Sequence, residues 1–200
     1  MTTTTTTPAM ASMATEPTAW RTRDIVVTAI IGVAFGVVFW AWGLAWSGLD
    51  AVFAFWPPAK DLTYAVWLVP AVLAPLIVRK PGAALFAEMV AAGVSTLFGS
   101  QWGPDTLLSG FVQGAAAELV FAFTLYRSWS VPVLVAAAIA SAAGAWIHDW
   151  ALYYAAVTPD LQVLRGVMMA ISAAVIVAGG SILLARALRQ AGVLDGFPAG

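Results

Sequence analysis

Four ionisable side chains, Glu88, Glu118, His148 and Asp149, fall inside stretches that are otherwise hydrophobic enough to span a bilayer. A charged group in hydrocarbon costs at least about 2.5–3.5 kcal/mol, and is kept where it faces a partner, a ligand or a cavity. Trp42, Trp46, Trp102, Trp146, Trp150, Tyr153 and Tyr154 accompany these four. Acid beside aromatic at membrane depth is the chemistry of a pocket for a small, polar cation. A ring face attracts the positive charge by about 0.5–2 kcal/mol when desolvated. A carboxylate can pair with that charge or accept from an amino group.

The surrounding chain fixes the solvent. Of its 200 residues 62% are hydrophobic and 10% charged, with a mean hydropathy of +0.89, whereas a soluble domain carries about 25% charged residues. This composition predicts an integral membrane protein with one membrane domain over residues 21–190. The net charge of -1 gives no reason to expect nucleic acid as a partner. With no Cys and one His, thiolate and multi-histidine metal centres are excluded, and no cofactor is expected. Residues 1–20 are Thr-rich, nearly uncharged and lack the basic start and apolar run of a leader, so they read as a disordered tail. Residues 191–200 read as a C-terminal tail.

Six apolar segments are predicted as helices, at 25–46, 62–78, 82–98, 106–126, 131–154 and 167–188. Each is long enough, or nearly so, to cross a core of about 30 Å; the second and third are short. The expected fold is an all-α bundle of six transmembrane helices. Basic residues orient it: with a cytoplasmic N-terminus, Arg21, Arg23, Arg79, Lys80, Arg127, Arg186 and Arg189 lie inside, and only Lys60 and Arg165 outside. Both termini are then cytoplasmic. The outer loop 47–61 is too apolar for a solvated linker and is expected to lie over the helix ends as a lid. The outer turn 99–105 carries Gln101 and Trp102.

Counting 1.5 Å per residue from each helix end puts Glu88 near the membrane middle and Glu118 slightly inside it. His148 and Asp149 lie below the outer end of the fifth segment. Trp46 lines the outer end of the first, and Gln113 lies above Glu118. Glu88, Gln101, Trp102, Gln113, Glu118, Trp46, His148, Asp149 and Tyr153 are therefore the candidate binding residues, around a cavity that opens outward and is floored by Glu88. Plainer readings stand beside this one. Glu118 is equally a packing residue bonded to another helix, and His148–Asp149 a helix-to-helix pair. Trp40, Trp56, Trp67 and Trp129 suit an interfacial belt.

Thr28, Gly32 and Gly36 recur at four-residue spacing on the first segment, which lets helices approach closely. The stripe serves either the internal bundle or docking of another membrane subunit. Gly110 and Gly114 form a similar pair, and Gly179-Gly180 is expected to loosen the last helix. No phosphate-binding glycine loop with Lys, no GxSxG and no HExxH occurs. The chain is thus read as neither an enzyme nor an ATPase.

Trp20-Arg21-Thr22-Arg23-Asp24-Ile25-Val26, Phe86-Ala87-Glu88-Met89-Val90-Ala91-Ala92 and Gly99-Ser100-Gln101-Trp102-Gly103, with six short helices and an aromatic outer loop, resemble the S components of energy-coupling-factor (ECF) transporters, specifically the YkoE type. The resemblance covers about residues 20–190. It implies a vitamin-binding subunit that joins a transmembrane coupling subunit (EcfT-like) and two ABC ATPases. The implied ligand is thiamine or its hydroxymethylpyrimidine precursor, and the small-residue stripe at Thr28, Gly32 and Gly36 would meet the coupling subunit. The rival reading is a self-sufficient carrier or channel with Glu88, Glu118 and His148 as a proton relay.

Overall fold

The computed structural model describes residues 19–199. The expected disordered tail lies almost wholly outside them. Among the described residues there is no strand; they form helices joined by short connections. Five helices are long and apolar enough to cross a membrane, and Ala83–Leu97 is a shorter apolar helix between them.

Helix α1, Thr22–Val52, has 31 residues, about 46 Å at 1.5 Å each. It starts because Asp24 Oδ2 accepts the Arg21 N–H at 3.0 Å, and an acid in the first turn complements the helix dipole. Its length is the first departure from the sequence reading. α1 runs six residues past Trp46 and the next helix starts at Pro57, so the expected outer loop is mostly helix and only 53–56 remain as the connection.

The second crossing is built in two windings. Pro57–Leu68 is a 3-10 helix of 12 residues with Pro57 and Pro58 in its first turn, followed by α2, Pro70–Val78. A 3-10 helix rises about 2.0 Å per residue against 1.5 Å for an α-helix. The tighter winding stretches this segment and makes up for the shortness of its apolar run. Pro70 lacks the N–H that would continue the ladder, so the winding changes there and α2 restarts with Pro at its first position. Every residue of α2 is buried. Being apolar all round, α2 takes the centre, flanked by α1, α3 (Ala83–Leu97), α4 (Asp105–Phe123), α5 (Val131–Leu152) and α7 (Gly179–Gln190).

The last crossing is a continuous rod, α6 (Pro159–Ser172), a π-helical turn (Ala173–Ala178) and α7 (Gly179–Gln190). It begins eight residues before the expected start, because Asp160, Gln162 and Arg165 lower the hydropathy of a first turn that Thr158 and Pro159 initiate. The irregular winding sits immediately before Gly179-Gly180, where loosening is expected. The C-terminal residues fold back on the bundle, with Leu194 and Ala199 buried and Arg189 Nε donating to Ala199 O at 2.5 Å.

The small-residue stripe is inside the bundle. Thr28, Gly32 and Gly36 are buried. A Cβ built on Gly32 would lie 2.7 Å from Val90 Cβ and 2.9 Å from Ala87 O; one on Gly36 would lie 2.5 Å from Val94 Cβ. The partner of this stripe is α3, so the close approach serves the chain's own packing and leaves no face there for a coupling subunit. Gly110 and Gly114 do the same for α4 against α3, facing Ala92, Glu88 and Leu85.

Candidate functional site

One cavity of about 260 Å³ lies between α1, the 3-10 helix, α3, α4 and α5. It sits at the end of the bundle that carries the 53–56 and 98–104 connections, opposite Arg79, Lys80 and Arg127.

Its aromatic wall is continuous. Trp46 and Trp67 meet edge to face at 4.8 Å between centroids, Tyr64 and Trp67 at 5.2 Å, and Trp67 and Trp102 at 5.3 Å. Such T-shaped pairs are the favoured ring geometry and fix one another's orientation. Trp67, which the sequence pattern assigns to an interfacial belt, is buried in this wall with its indole N–H directed at Phe39 O, 3.4 Å away. The 3-10 helix presents Tyr64 and Trp67, three residues apart, on one face, because side chains at i and i+3 eclipse in that winding.

Trp102 is held by its turn. Gly99 and Gly103 take φ of +86° and +56°, a region L side chains rarely adopt. Gln101 donates to Gly43 O at 2.9 Å and accepts from Ser47 at 3.0 Å. A Cβ on Gly43 would lie 3.2 Å from the Trp102 ring. Gln101 thus ties the turn to α1 and is not itself in the cavity lining.

The polar wall comes from α4 and α5. His148 Nδ1 lies 3.0 Å from Asp149 Oδ1, and His148 Nε2 3.2 Å from Asp105 Oδ1. Tyr153 donates its hydroxyl to Asp105 Oδ2. Burial, with the Asp105 carboxylate next, raises the Tyr153 phenol pKa well above its ordinary value, so it stays a donor. Gln113 donates to Ser109 Oγ at 2.7 Å and faces Tyr64 Oη at 3.4 Å. A neutral imidazole has one N–H, yet both His148 nitrogens face carboxylates. The ring is thus gripped between two acids, Asp105 on α4 and Asp149 on its own helix.

A buried ion pair closes the side of the site. Arg165 Nε and Nη2 donate to Asp61 Oδ2 and Oδ1 at 2.9 and 3.2 Å. The guanidinium also lies 3.4 Å from the centroid of the Tyr154 ring, and Tyr154 lines the cavity. This fork–fork geometry joins the 3-10 helix to α6.

Trp46, Trp102, Gln113, His148, Asp149 and Tyr153 of the candidate set line the cavity together; Glu88 and Glu118 do not. Glu88 is fully buried and accepts the Ala71 N–H at 2.9 Å, so it caps α2 at its proline-started N-terminus. Glu118 accepts from Gly82, Ala84 and Leu85 N–H at 2.6, 2.9 and 3.4 Å, at the other end of the bundle. Both carboxylates satisfy first-turn N–H groups that have no intrahelical partner. The proposed relay of Glu88, Glu118 and His148 is therefore three groups with separate partners. Trp146 is likewise engaged elsewhere, donating to Gln162 O at 2.9 Å against α6.

Asp105 and Tyr64 are the functional candidates that sequence reasoning missed, and Trp67 is one it assigned to the interfacial belt. Asp105 reads as a turn residue after Gly103-Pro104, and its relation to His148 spans 43 positions. The available signal was an acid at the first position of a helix whose outer end faces the aromatic turn.

The chain is similar to known proteins in sequence and in fold. Residues 23–144 match the family model described as "ABC-type cobalt transport system, permease component". A curated relative from Bacillus subtilis (strain 168), "Putative HMP/thiamine permease protein YkoE", is 34% identical over 184 residues, covering 90% of each chain. A solved structure, "Crystal structure of an S-component of ECF transporter", superposes with a TM-score of 0.85 at 33% identity, covering 90% of this chain and 91% of that one. Sequence and fold together place the chain in the YkoE family of energy-coupling-factor transporter S components.

Proposed function

We propose that this chain captures thiamine or its hydroxymethylpyrimidine precursor in the cavity between Trp46, Trp102, Asp105 and Asp149, and hands it to a transmembrane coupling subunit driven by two ATPases. The single observation that carries the reading is the pairing of the Asp105–His148–Asp149 trio with a box of Trp and Tyr rings around one cavity. A thiazolium is a monocation that such rings and neighbouring carboxyl groups favour. An aminopyrimidine is flat and offers an amino group to a carboxylate. The name of the Bacillus relative supports the same ligand class. The cavity lies at the end of the bundle away from most basic residues, which supports six crossings, an outward opening and cytoplasmic termini.

Tryptophan fluorescence of the purified chain tests the ligand. Three Trp residues line the cavity, so thiamine and hydroxymethylpyrimidine should shift emission saturably and raise the melting temperature. Unchanged emission and melting at micromolar concentrations of both would rule out the ligand assignment.

A further inference from the structure

A second cavity, of about 360 Å³, opens at the opposite end of the molecule, lined by Arg21, Arg23, Asp24, Val78, Lys80 and the C-terminal residues Gly196, Phe197 and Pro198. Three basic residues meet one acid there. That acid is already engaged, since Asp24 is buried, accepts the Arg21 N–H at 3.0 Å and lies 3.7 Å from Arg23 Nε. The basic groups come from separate segments, the start of α1 and the α2–α3 turn. The C-terminal residues wall the third side, placed by the Arg23 guanidinium 5.1 Å from the centre of the Phe197 ring and by the Arg189–Ala199 bond. The vitamin pocket at the far end uses none of these groups.

We infer that this basic pocket binds the phosphate of an anionic phospholipid headgroup in the inner leaflet. A phosphodiester carries one negative charge and several acceptor oxygens, and guanidinium groups donate to such oxygens in a fixed fork. The pocket lies at the helix ends, where headgroups reside, on the side that also carries Arg127, Arg186 and Arg189. Basic pockets between transmembrane helices on the cytoplasmic side are suited to anionic lipid headgroups. Arg21 and Arg23 are exposed, so a lipid can reach them laterally without unfolding the bundle.

Native mass spectrometry of the full chain, delipidated in neutral detergent and titrated with phosphatidylglycerol or phosphatidylcholine, tests this. The wild type should prefer phosphatidylglycerol. The double variant Arg21→Gln/Arg23→Gln should lose roughly fivefold in affinity per arginine, about 25-fold together, with thiamine binding unchanged. Arg127→Gln/Arg186→Gln removes the same charge outside the pocket and should lose little. Should the first double variant unfold, the single Arg21→Gln gives the same reading with a fivefold loss. Equal losses in both double variants would show diffuse attraction to the basic end and overturn the site. So would equal binding of the two lipids. Free inorganic phosphate protecting the chain as well as phosphatidylglycerol would overturn the lipid as its occupant.

Discussion

Four of the acids divide into two populations, acceptors at helix starts and members of the cavity wall. Glu118 and Glu88 accept backbone N–H groups at helix starts, whereas Asp105 and Asp149 bracket His148 in the cavity wall. Removing the Glu118 carboxylate by Glu118→Ala leaves three N–H groups at the start of α3 without their acceptor. Each orphaned donor costs about 1–3 kcal/mol, so thermal unfolding should move down by several degrees while thiamine affinity stays within about twofold. Tyr153→Phe removes a donor to Asp105 without removing a ring, and should weaken thiamine binding by roughly tenfold with little change in melting. His148, Asp149 and Tyr153 were legible as a site because they cluster in sequence within six residues. Glu88 was misleading for a physical reason: depth and polarity identify a group that needs a partner, and here a proline-started helix N-terminus is that partner.

At the scale of elements, the structure turns on windings and close approaches. Gly32→Leu places a branched side chain where Val90 and the Ala87 carbonyl already lie within 3 Å of a Cβ. Overpacking costs about 1–3 kcal/mol, and here backbone is among the atoms that would have to move. Lowered thermal stability and lost ligand binding are expected together, read by melting curves and fluorescence titration. Arg165→Met leaves the Asp61 carboxyl buried without its fork and should cost about 3–5 kcal/mol, while Arg165→Met/Asp61→Leu should recover most of it. Helix type and order were readable because runs of apolar residues separate at Pro, Gly and basic turns. Two elements were not. The 3-10 winding of Pro57–Leu68 has the same residue composition as an apolar α-helix. The polar first turns of α6 look like loop until Arg165 finds Asp61, 104 positions away.

For the whole molecule, the proposed topology is testable because the chain has no cysteine. A single cysteine at Gly48 should react with an impermeant maleimide from outside intact cells, and one at Ser130 only after permeabilisation; the reverse pattern would invert the proposed orientation. The large apolar exposure of α1, including Ile25, Ile30, Val33 and Val37, suits lipid or a membrane partner rather than water. A subunit without an energy source of its own should bind vitamin but not accumulate it when reconstituted alone. The central claim is that the ligand sits against the Asp105–His148–Asp149 wall and that Glu118, despite its charge, takes no part. Calorimetric titration of thiamine into the wild type, Asp149→Asn and Glu118→Gln tests it most directly. Losing a charge-assisted bond costs about 1.5–3 kcal/mol, so Asp149→Asn should bind ten- to hundredfold more weakly, with Glu118→Gln indistinguishable from the wild type. Unchanged affinity in Asp149→Asn, or a comparable loss in Glu118→Gln, would contradict the account.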